Sequence, residues 1–202
     1  MQNLVEIHHL ENPPEGIDQT SMNFLVRRYR LKFAGYVYDP RLRYKMELGI
    51  SNRDPGNKAN NDYNNEASNI VLDAVIKYKF NPHWDLWFGQ SKLPGNRERV
   101  VSSADLQLPD RSLVNSYYNI DRDKGVWLHG EYTLGNQVIR PKASISTGEG
   151  RNITSANLGG LDYTGRVEWM PLGKFEGKKE DYIQSMVTRQ SKPKLAIGVT
   201  YD

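Results

Sequence analysis

The sequence predicts an all-β fold whose antiparallel strands follow one another up and down, and three observations lead to this prediction. Segments of alternating apolar and polar residues, the period of half-buried strands, recur along the chain. Tight turns and long polar links alternate between these segments. No segment has a convincing helical period, and no run of about 18 apolar residues, the length of a transmembrane helix, is present.

Eight strands are predicted after a polar start. Residues 1–23 are expected to be a polar N-terminal tail, and they lack the basic and apolar regions of a signal peptide. In chain order the strands are Phe24–Tyr38, Arg41–Ile50, Asn69–Phe80, Trp84–Gln90, Gly125–Leu134, Val138–Thr147, Leu161–Met170 and Lys194–Tyr201.

The links between these strands alternate in length. Asp39-Pro40, Asn81–His83 and Gly135-Asn136 are short turns of the kind that join hairpin strands. The links after the second, fourth and sixth strands are long and polar. Short turns at one end and long loops at the other are typical of transmembrane barrels.

Two links need separate comment. The link from about residue 91 to 124 is the longest and is a candidate constriction loop. The link from Pro171 to Pro193 should be a short turn, yet it is long and charged. We expect an enlarged turn there, with a helical stretch around Asp181–Arg189.

The two faces of the predicted strands differ in chemistry. One face is apolar and includes Leu31, Leu72 and Ile197, and aromatic residues crowd the short-turn ends as in the girdle at a membrane interface. The other face has basic residues in excess over Glu47, Asp73, Glu131, Asp162 and Glu168. The basic residues are Arg28, Arg30, Lys32, Arg41, Arg43, Lys45, Lys77, Lys79, Arg140, Lys142 and Arg166.

Alternation alone also fits a soluble antiparallel sheet with one wet face. Such a module could bind an acidic polymer or nucleic acid, but most aromatic residues share the apolar face, away from the cations. An enzyme is not expected, because no nucleophile set, P-loop or dinucleotide motif is present. The absence of cysteine excludes disulfides and thiolate metal sites. Neither a metal nor another cofactor is predicted.

Four stretches resemble the phosphate-selective porin O and P family of Gram-negative outer membranes, and their sequences look most similar to those of Bacteroidetes-like members. They are "FLVRRYRLKFAGYV", "LWFGQSKLPGNRERVVSSADLQLPDRSLVN", "DRDKGVWLHGEY" and "LDYTGRVEWMPLGKF". The resemblance runs from about Phe24 to the end of the chain. The stretch from Gly89 to Asn115 is the most specific, because its residues do not follow from strand periodicity.

The resemblance implies a transmembrane barrel of 16 strands, normally a homotrimer in the lipid of the outer membrane, that passes phosphate or other small anions. Residues 24–202 would then be a partial β-barrel of about eight strands, the N-terminal half of such a porin. A protein of this kind is not expected to bind nucleic acid. Phosphate, polyphosphate, pyrophosphate and anions in general remain open as the cargo.

The candidate anion-binding residues come from the polar face and from the long loop. Basic residues two apart on one strand lie about 6.6 Å apart on the same face, so they form a ladder along which an anion can pass from site to site. The pore-lining candidates are Arg28, Arg30, Lys32, Arg41, Arg43, Lys45, Lys92, Ser102, Ser103, Arg111, Arg140, Lys142 and Arg166.

The resemblance places Ser102, Ser103 and Arg111 where family members have constriction residues. Some relatives carry a lysine after the serine pair, whereas this chain has Ala104 and Asp105. That departure weakens the expectation of strict phosphate selectivity. The donors expected from the loop are Lys92, Arg97, Arg99, Ser102, Ser103 and Arg111. The alternative role for any arginine of the loop is an ion pair with Glu98, Asp105 or Asp110.

Overall fold

The computed structural model describes residues 1–17, 19–51, 70–153, 159–177 and 180–202, and antiparallel strands make up most of them. Eleven strands lie within these ranges: β1 Gln2–His9, β2 Thr20–Arg28, β3 Arg30–Val37, β4 Asp39–Gly49, β5 Val71–Lys79, β6 Trp84–Lys92, β7 Arg122–Gly130, β8 Tyr132–Leu134, β9 Gln137–Ser146, β10 Asp162–Met170 and β11 Ile197–Tyr201. The predicted all-β antiparallel fold is confirmed.

Helical structure is limited to three short pieces within the described ranges. Helices α1 (Arg97–Val100) and α2 (Leu113–Tyr117) lie in the long loop, and a 3-10 turn covers Glu180–Tyr182. The helical stretch expected around Asp181–Arg189 is therefore wrong apart from this turn. No helix in the described part of the chain is long and apolar enough to span a membrane.

The main sheet is an open meander. Its strand order is β11-β10-β9-β7-β6-β5-β4-β3, with β8 paired to β9, and neighbouring strands are antiparallel. Strands β1 and β2 form a separate two-stranded sheet. The sheet does not close, so β3 and β11 have one unpaired edge each within the described residues. This architecture is consistent with a piece of a barrel wall.

Most predicted strands recur with shifted ends. The first predicted strand divides into β2 and β3 at Tyr29, and the fifth divides into β7 and β8 at Glu131. Strand β1 lies in the stretch expected to be a polar tail. Because β6 extends to Lys92 and β7 begins at Arg122, the loop between them covers residues 93–121 and is called the long loop below. Asn69 and most of the link after the second predicted strand lie outside the described residues.

The tight turns follow from local chemistry. The amide of Arg41 donates to Oδ1 of Asp39 at 2.7 Å beside Tyr38, whose φ is +65°. The side chain of Asn81 accepts from the amides of His83 and Trp84 at 2.8 and 2.9 Å. These contacts satisfy backbone donors at the starts of β4 and β6 and in the turn before β6, which stabilises both turns.

The exposure of the two sheet faces is the reverse of that in a soluble protein. The apolar face is exposed: Phe33, Ile76 and Phe88 retain 50%, 54% and 66% of their accessible surface. The polar face is buried under the connecting segments: Glu47, Asp73, Arg122 and Arg166 are at most 6% exposed. The predicted separation of the faces therefore holds for most strands.

Two β-bulges change that separation locally. Leu72, predicted on the apolar face, is buried because Glu47 pairs with Asp73 while Leu48 pairs with Val71, which leaves Leu72 unpaired. In β2, Gln2 pairs with Arg28 and Asn3 with Val26, so Arg27 is the extra residue. A bulge can direct consecutive side chains to the same side. Arg27 consequently joins Arg28 in being half-buried, whereas Val26 is exposed.

Candidate functional site

Arginine side chains converge where β2, β3 and β7 meet the long loop. They surround a hollow of about 230 Å³, which we call the arginine cluster. Among the described residues, its lining comprises Arg27, Arg28, Arg30, Arg99, Arg111, Arg122, Arg151 and one acid, Asp121. Such a concentration of guanidinium groups is suited to anions, because each group offers a planar fork of donors that matches phosphate oxygens.

Three of the predicted candidates, Arg28, Arg30 and Arg111, are in this cluster. Arg28 donates to the carbonyl oxygen of Pro109 at 3.1 Å, and Arg30 donates to Oγ of Ser103 at 2.8 Å. Both contacts tie the strand ladder to the long loop. Ser103 therefore holds a cation of the cluster in position.

Arg111 reaches the cluster from the loop. Its Nε and Nη2 donate to the carbonyl oxygens of Glu98 and Val101, both at 3.0 Å. Burial, followed by the charges of Arg99 and Arg28, lowers the pKa of Arg111 to about 10. The charges of Arg99 and Arg28 contribute to this lowering because they repel the charged form of Arg111. They create a positive electrostatic potential, and a bound anion would reduce the repulsion.

Three arginines of the cluster, Arg27, Arg122 and Arg151, were not predicted as site residues, and Arg99 was expected only as a donor of the long loop. The bulge in β2 brings in Arg27, which period-two alternation assigns to the other face. Arg99 and Arg151 lie in connections, where alternation gives no information. Arg122 begins β7, and it donates to Oδ1 of Asp73 at 2.7 Å. The sequence marks Arg122 only by its position in "DRDKGVWLHGEY", one of the stretches that resemble the porin family.

A larger cavity of about 970 Å³ lies beside the cluster, and Arg122 lines both. We call it the lysine cavity because Lys32, Lys45, Lys77, Lys79, Lys92 and Lys142 border it, together with Ser102. Acids are interleaved with these cations. Lys45, for example, lies 3.2 Å from Glu47 and also contacts Asp73. The cavity is thus cationic but partly neutralised.

Aromatic rings also line the lysine cavity. Nζ of Lys77 lies 3.5 Å from the ring centroid of Trp87, and the imidazole of His129 stacks on the same indole at 4.1 Å. Lys77 therefore makes a cation–π contact. Alternation along β7 places His129 on the polar face, next to the apolar-face residue Leu128. By alternation along β6, Trp87 also belongs to the polar face, because it lies between Leu86 and Phe88 of the apolar face. Both of these neighbours are exposed in the structure.

Two further candidates brace the structure. Lys92 donates to the carbonyl oxygens of Arg99 and Val101 at 2.8 and 3.1 Å, which anchors the long loop at its base. Ser102 accepts from the amide of Ala104 at 3.3 Å. The Lys92 contacts hold the loop against the end of β6, whereas the Ser102 contact is local to the loop.

The other cations of the ladder are paired with acids. Arg41 lies at the short-turn end, largely exposed, 2.8 Å from Asp39, so it is not brought into either cavity. Arg43 pairs with Asp85 at 2.7 Å. Lys32 is 3.8 Å from Glu47.

A third group of candidates lies on β9 and β10. Arg140 contacts Glu131 at 2.7 Å and Asp181 at 2.8 Å. Lys142 and Arg166 share Glu168, at 3.1 and 3.0 Å. The structure does not bring this group into the arginine cluster.

The alternative ion-pair role of the loop acids is partly realised. Asp110 contacts Arg27 and lies 3.8 Å from Arg28. Glu98 instead accepts from the amide and hydroxyl of Ser112, at 2.7 and 2.6 Å. These hydrogen bonds lower the pKa of Glu98 and fix the start of α2.

Among the residues that the structure describes, no group of three or more His, Asp or Glu side chains could hold a metal ion. Comparison with known proteins gives one match: the family model for phosphate-selective porin O and P matches residues 7–192. No curated protein and no solved structure matches the chain.

Proposed function

Because the chain belongs to the phosphate-selective porin O and P family, we propose that it forms part of an outer-membrane pore whose arginine and lysine side chains conduct phosphate or polyphosphate. Membership of this family indicates a channel rather than an enzyme. We further propose that the full-length protein is a homotrimer in the outer membrane of a Gram-negative bacterium, with lipid against its apolar face.

The observation that carries this proposal is the arginine cluster. Several guanidinium groups border one small hollow, and the long loop supplies part of them. A pore must bind its ion well enough to admit it and weakly enough to release it. A series of cations whose charges are partly neutralised by neighbouring acids can meet both requirements. The lysine cavity next to the cluster extends that series.

The exposed apolar face supports the membrane location. Contiguous apolar patches of this kind are rare on soluble proteins, and an outward apolar band is the mark of a transmembrane barrel. In contrast, a soluble module that binds nucleic acid would leave this face in water. The proposal therefore accounts for both faces of the sheet.

The proposal predicts the behaviour of the full-length porin in planar bilayers. Arg111→Ala and Arg28→Ala should reduce anion selectivity and weaken the inhibition of chloride current by phosphate. Arg→Lys at the same positions should keep anion selectivity, because charge remains, and weaken phosphate inhibition, because the donor fork is lost. Reversal potential and phosphate titration of the current measure the two effects.

Arg41→Ala is the matched control, since Arg41 is exposed at the turn and lines neither cavity. It should change neither reading. A wild-type pore that prefers cations, or cluster variants that behave like Arg41→Ala, would refute the proposed function.

A further inference from the structure

The connection between β10 and β11 folds back over the polar face. Its residues 180–192, which we call the inner segment, begin with the 3-10 turn Glu180–Tyr182. A connection at this end of the sheet would usually be a short turn. The inner segment instead makes specific contacts both with the wall of strands and with the long loop.

Its contacts with the wall use two side chains. Oδ2 of Asp181 accepts from Nη2 of Arg140 at 2.8 Å. The hydroxyl of Tyr182 donates to Glu168 at 2.7 Å and accepts from Nζ of Lys142 at 2.8 Å. Burial and then the charge of Glu168 raise the pKa of Tyr182, so its hydroxyl stays neutral. The phenol ring is thereby held in one place.

Three of its contacts with the long loop each include at least one backbone group. The amide of Gln184 donates to the carbonyl oxygen of Asp105 at 3.0 Å, and the amide of Gln107 donates to Oε1 of Gln184 at 3.1 Å. Arg97 of α1 also donates to the carbonyl oxygen of Asp181. The two connections, which leave opposite ends of the sheet, thus meet over the polar face.

These contacts give Arg140 and Lys142, which were predicted to line the pore, a structural role. Arg140 and Lys142 hold the inner segment, and Tyr182 lies at the border of the lysine cavity beside them. A neutral ring narrows a path without attracting or repelling an ion. It therefore discriminates by size, whereas the arginine cluster discriminates by charge.

We propose that Asp181 and Tyr182 form a second constriction in the pore, at which anions are selected by size after selection by charge. This inference rests on the proposed function. Tyr182 provides the fixed obstruction, Asp181 neutralises Arg140, and Glu168 and Lys142 orient the phenol. Tyr182 is a specificity-determining residue, and Glu168 is a positioning residue.

The first test replaces Tyr182 with Ala in the full-length porin and compares chloride with gluconate as the permeating anion. Removal of the ring should raise single-channel conductance and shift the chloride–gluconate reversal potential towards zero. Phosphate inhibition, which belongs to the arginine cluster, should persist. Tyr163→Ala is the matched control, because Tyr163 lies on β10 and is exposed on the apolar face; it should leave both readings unchanged.

A second test asks whether the contact exists in the assembled pore. Cysteine is absent from this sequence, so the pair Asp105→Cys and Gln184→Cys introduces two defined thiols. Under oxidation they should form a disulfide, which requires Cα atoms within about 7 Å. The bridged pore should conduct like the reduced one, since the constriction is fixed.

The outcomes separate the two proposals. An anion-selective pore in which Tyr182→Ala matches Tyr163→Ala, or in which no disulfide forms, overturns the second constriction and leaves the proposed function standing. A pore without anion selectivity overturns the proposed function itself. A bridged pore that no longer conducts would show a moving lid in place of a fixed constriction, and would also contradict the inference.

Discussion

At the scale of single residues, the buried charges of the polar face are stable because they are paired. Asp73 is 1% exposed, and it accepts from Nε of Arg122 while also contacting Lys45. An isolated charge in such a position would be strongly destabilising, since burial removes its hydration. The pairs therefore keep the cations in place and partly neutralise their charge.

This pairing predicts the effect of removing Arg122. Arg122→Ala should destabilise the protein by about 3 kcal/mol, the lower end for a broken buried pair, because Lys45 still faces Asp73. Urea unfolding of the pore in detergent micelles measures the change. The double variant Arg122→Ala with Asp73→Asn should recover part of the loss, and Arg41→Ala should have almost no effect. Equal stability of Arg122→Ala and Arg41→Ala would contradict this account.

The sequence predicted those site residues that follow strand periodicity. Alternation assigned Arg28 and Arg30 to the polar face, and both are half-buried there even though a bulge at Arg27 and a strand break at Tyr29 interrupt the regular pattern. Arg27 was missed because a bulge redirects its side chain, and bulges leave no reliable mark in the sequence. Arg99 was expected as a donor of the long loop, but its place in the cluster could not be derived in the same way, because that place depends on how the loop folds against distant strands.

At the scale of elements, strand β6 contains a backbone position that requires glycine. Gly89 has a φ of +128°, where residues with a Cβ are strained. A Cβ at this position would also overlap the carbonyl oxygen of Ala74 on β5. Strands β5 and β6 can therefore approach each other only with glycine here. This explains one residue of the "LWFGQSK" stretch in structural terms.

Gly89→Ala should destabilise the protein by about 1–3 kcal/mol from backbone strain alone. Gly165→Ala in β10 is the matched control, because nothing lies within 4 Å of a Cβ built there and its φ is not positive; its effect should stay within about 0.5 kcal/mol. Urea midpoints of the two variants in detergent micelles provide the comparison. The account fails if the two substitutions have the same effect.

The strands could be predicted well, and the connections could not. The apolar–polar alternation of a strand can be read from the strand's own residues, so β4 and β10 were predicted with nearly correct ends. The long loop and the inner segment are shaped by contacts such as the one between Gln184 and Asp105, which lie 79 positions apart (184 − 105). No local pattern records such a contact. Strand β1 was missed because its alternation is weak and is interrupted by polar residues.

At the scale of the whole molecule, the distribution of polarity is the reverse of that in a water-soluble domain. Apolar residues such as Phe88 and Val199 are exposed, and the buried residues include more charged groups than a soluble core would hold. Strands β3 and β11 add unpaired edges in the described part. Both features are hazards in water, because they allow chains to associate.

We therefore expect the isolated 202-residue chain to associate in detergent-free buffer. Sedimentation velocity should show large assemblies or precipitate. In detergent micelles the same chain should remain dispersed, because detergent covers the apolar face. A sharp, reversible melting transition of a monomer in plain buffer would disprove the assignment of that face to lipid.

The arginine cluster joins parts of the chain that are far apart in sequence. Arg27 contacts Asp110 across 83 positions, and Arg30 contacts Ser103 across 73. Hairpins such as β3–β4 close over much shorter stretches, and contacts between distant residues form late because the entropy of closing a long chain segment must be overcome first. During biogenesis, we therefore expect the strands of the sheet to pair before the proposed anion site is assembled.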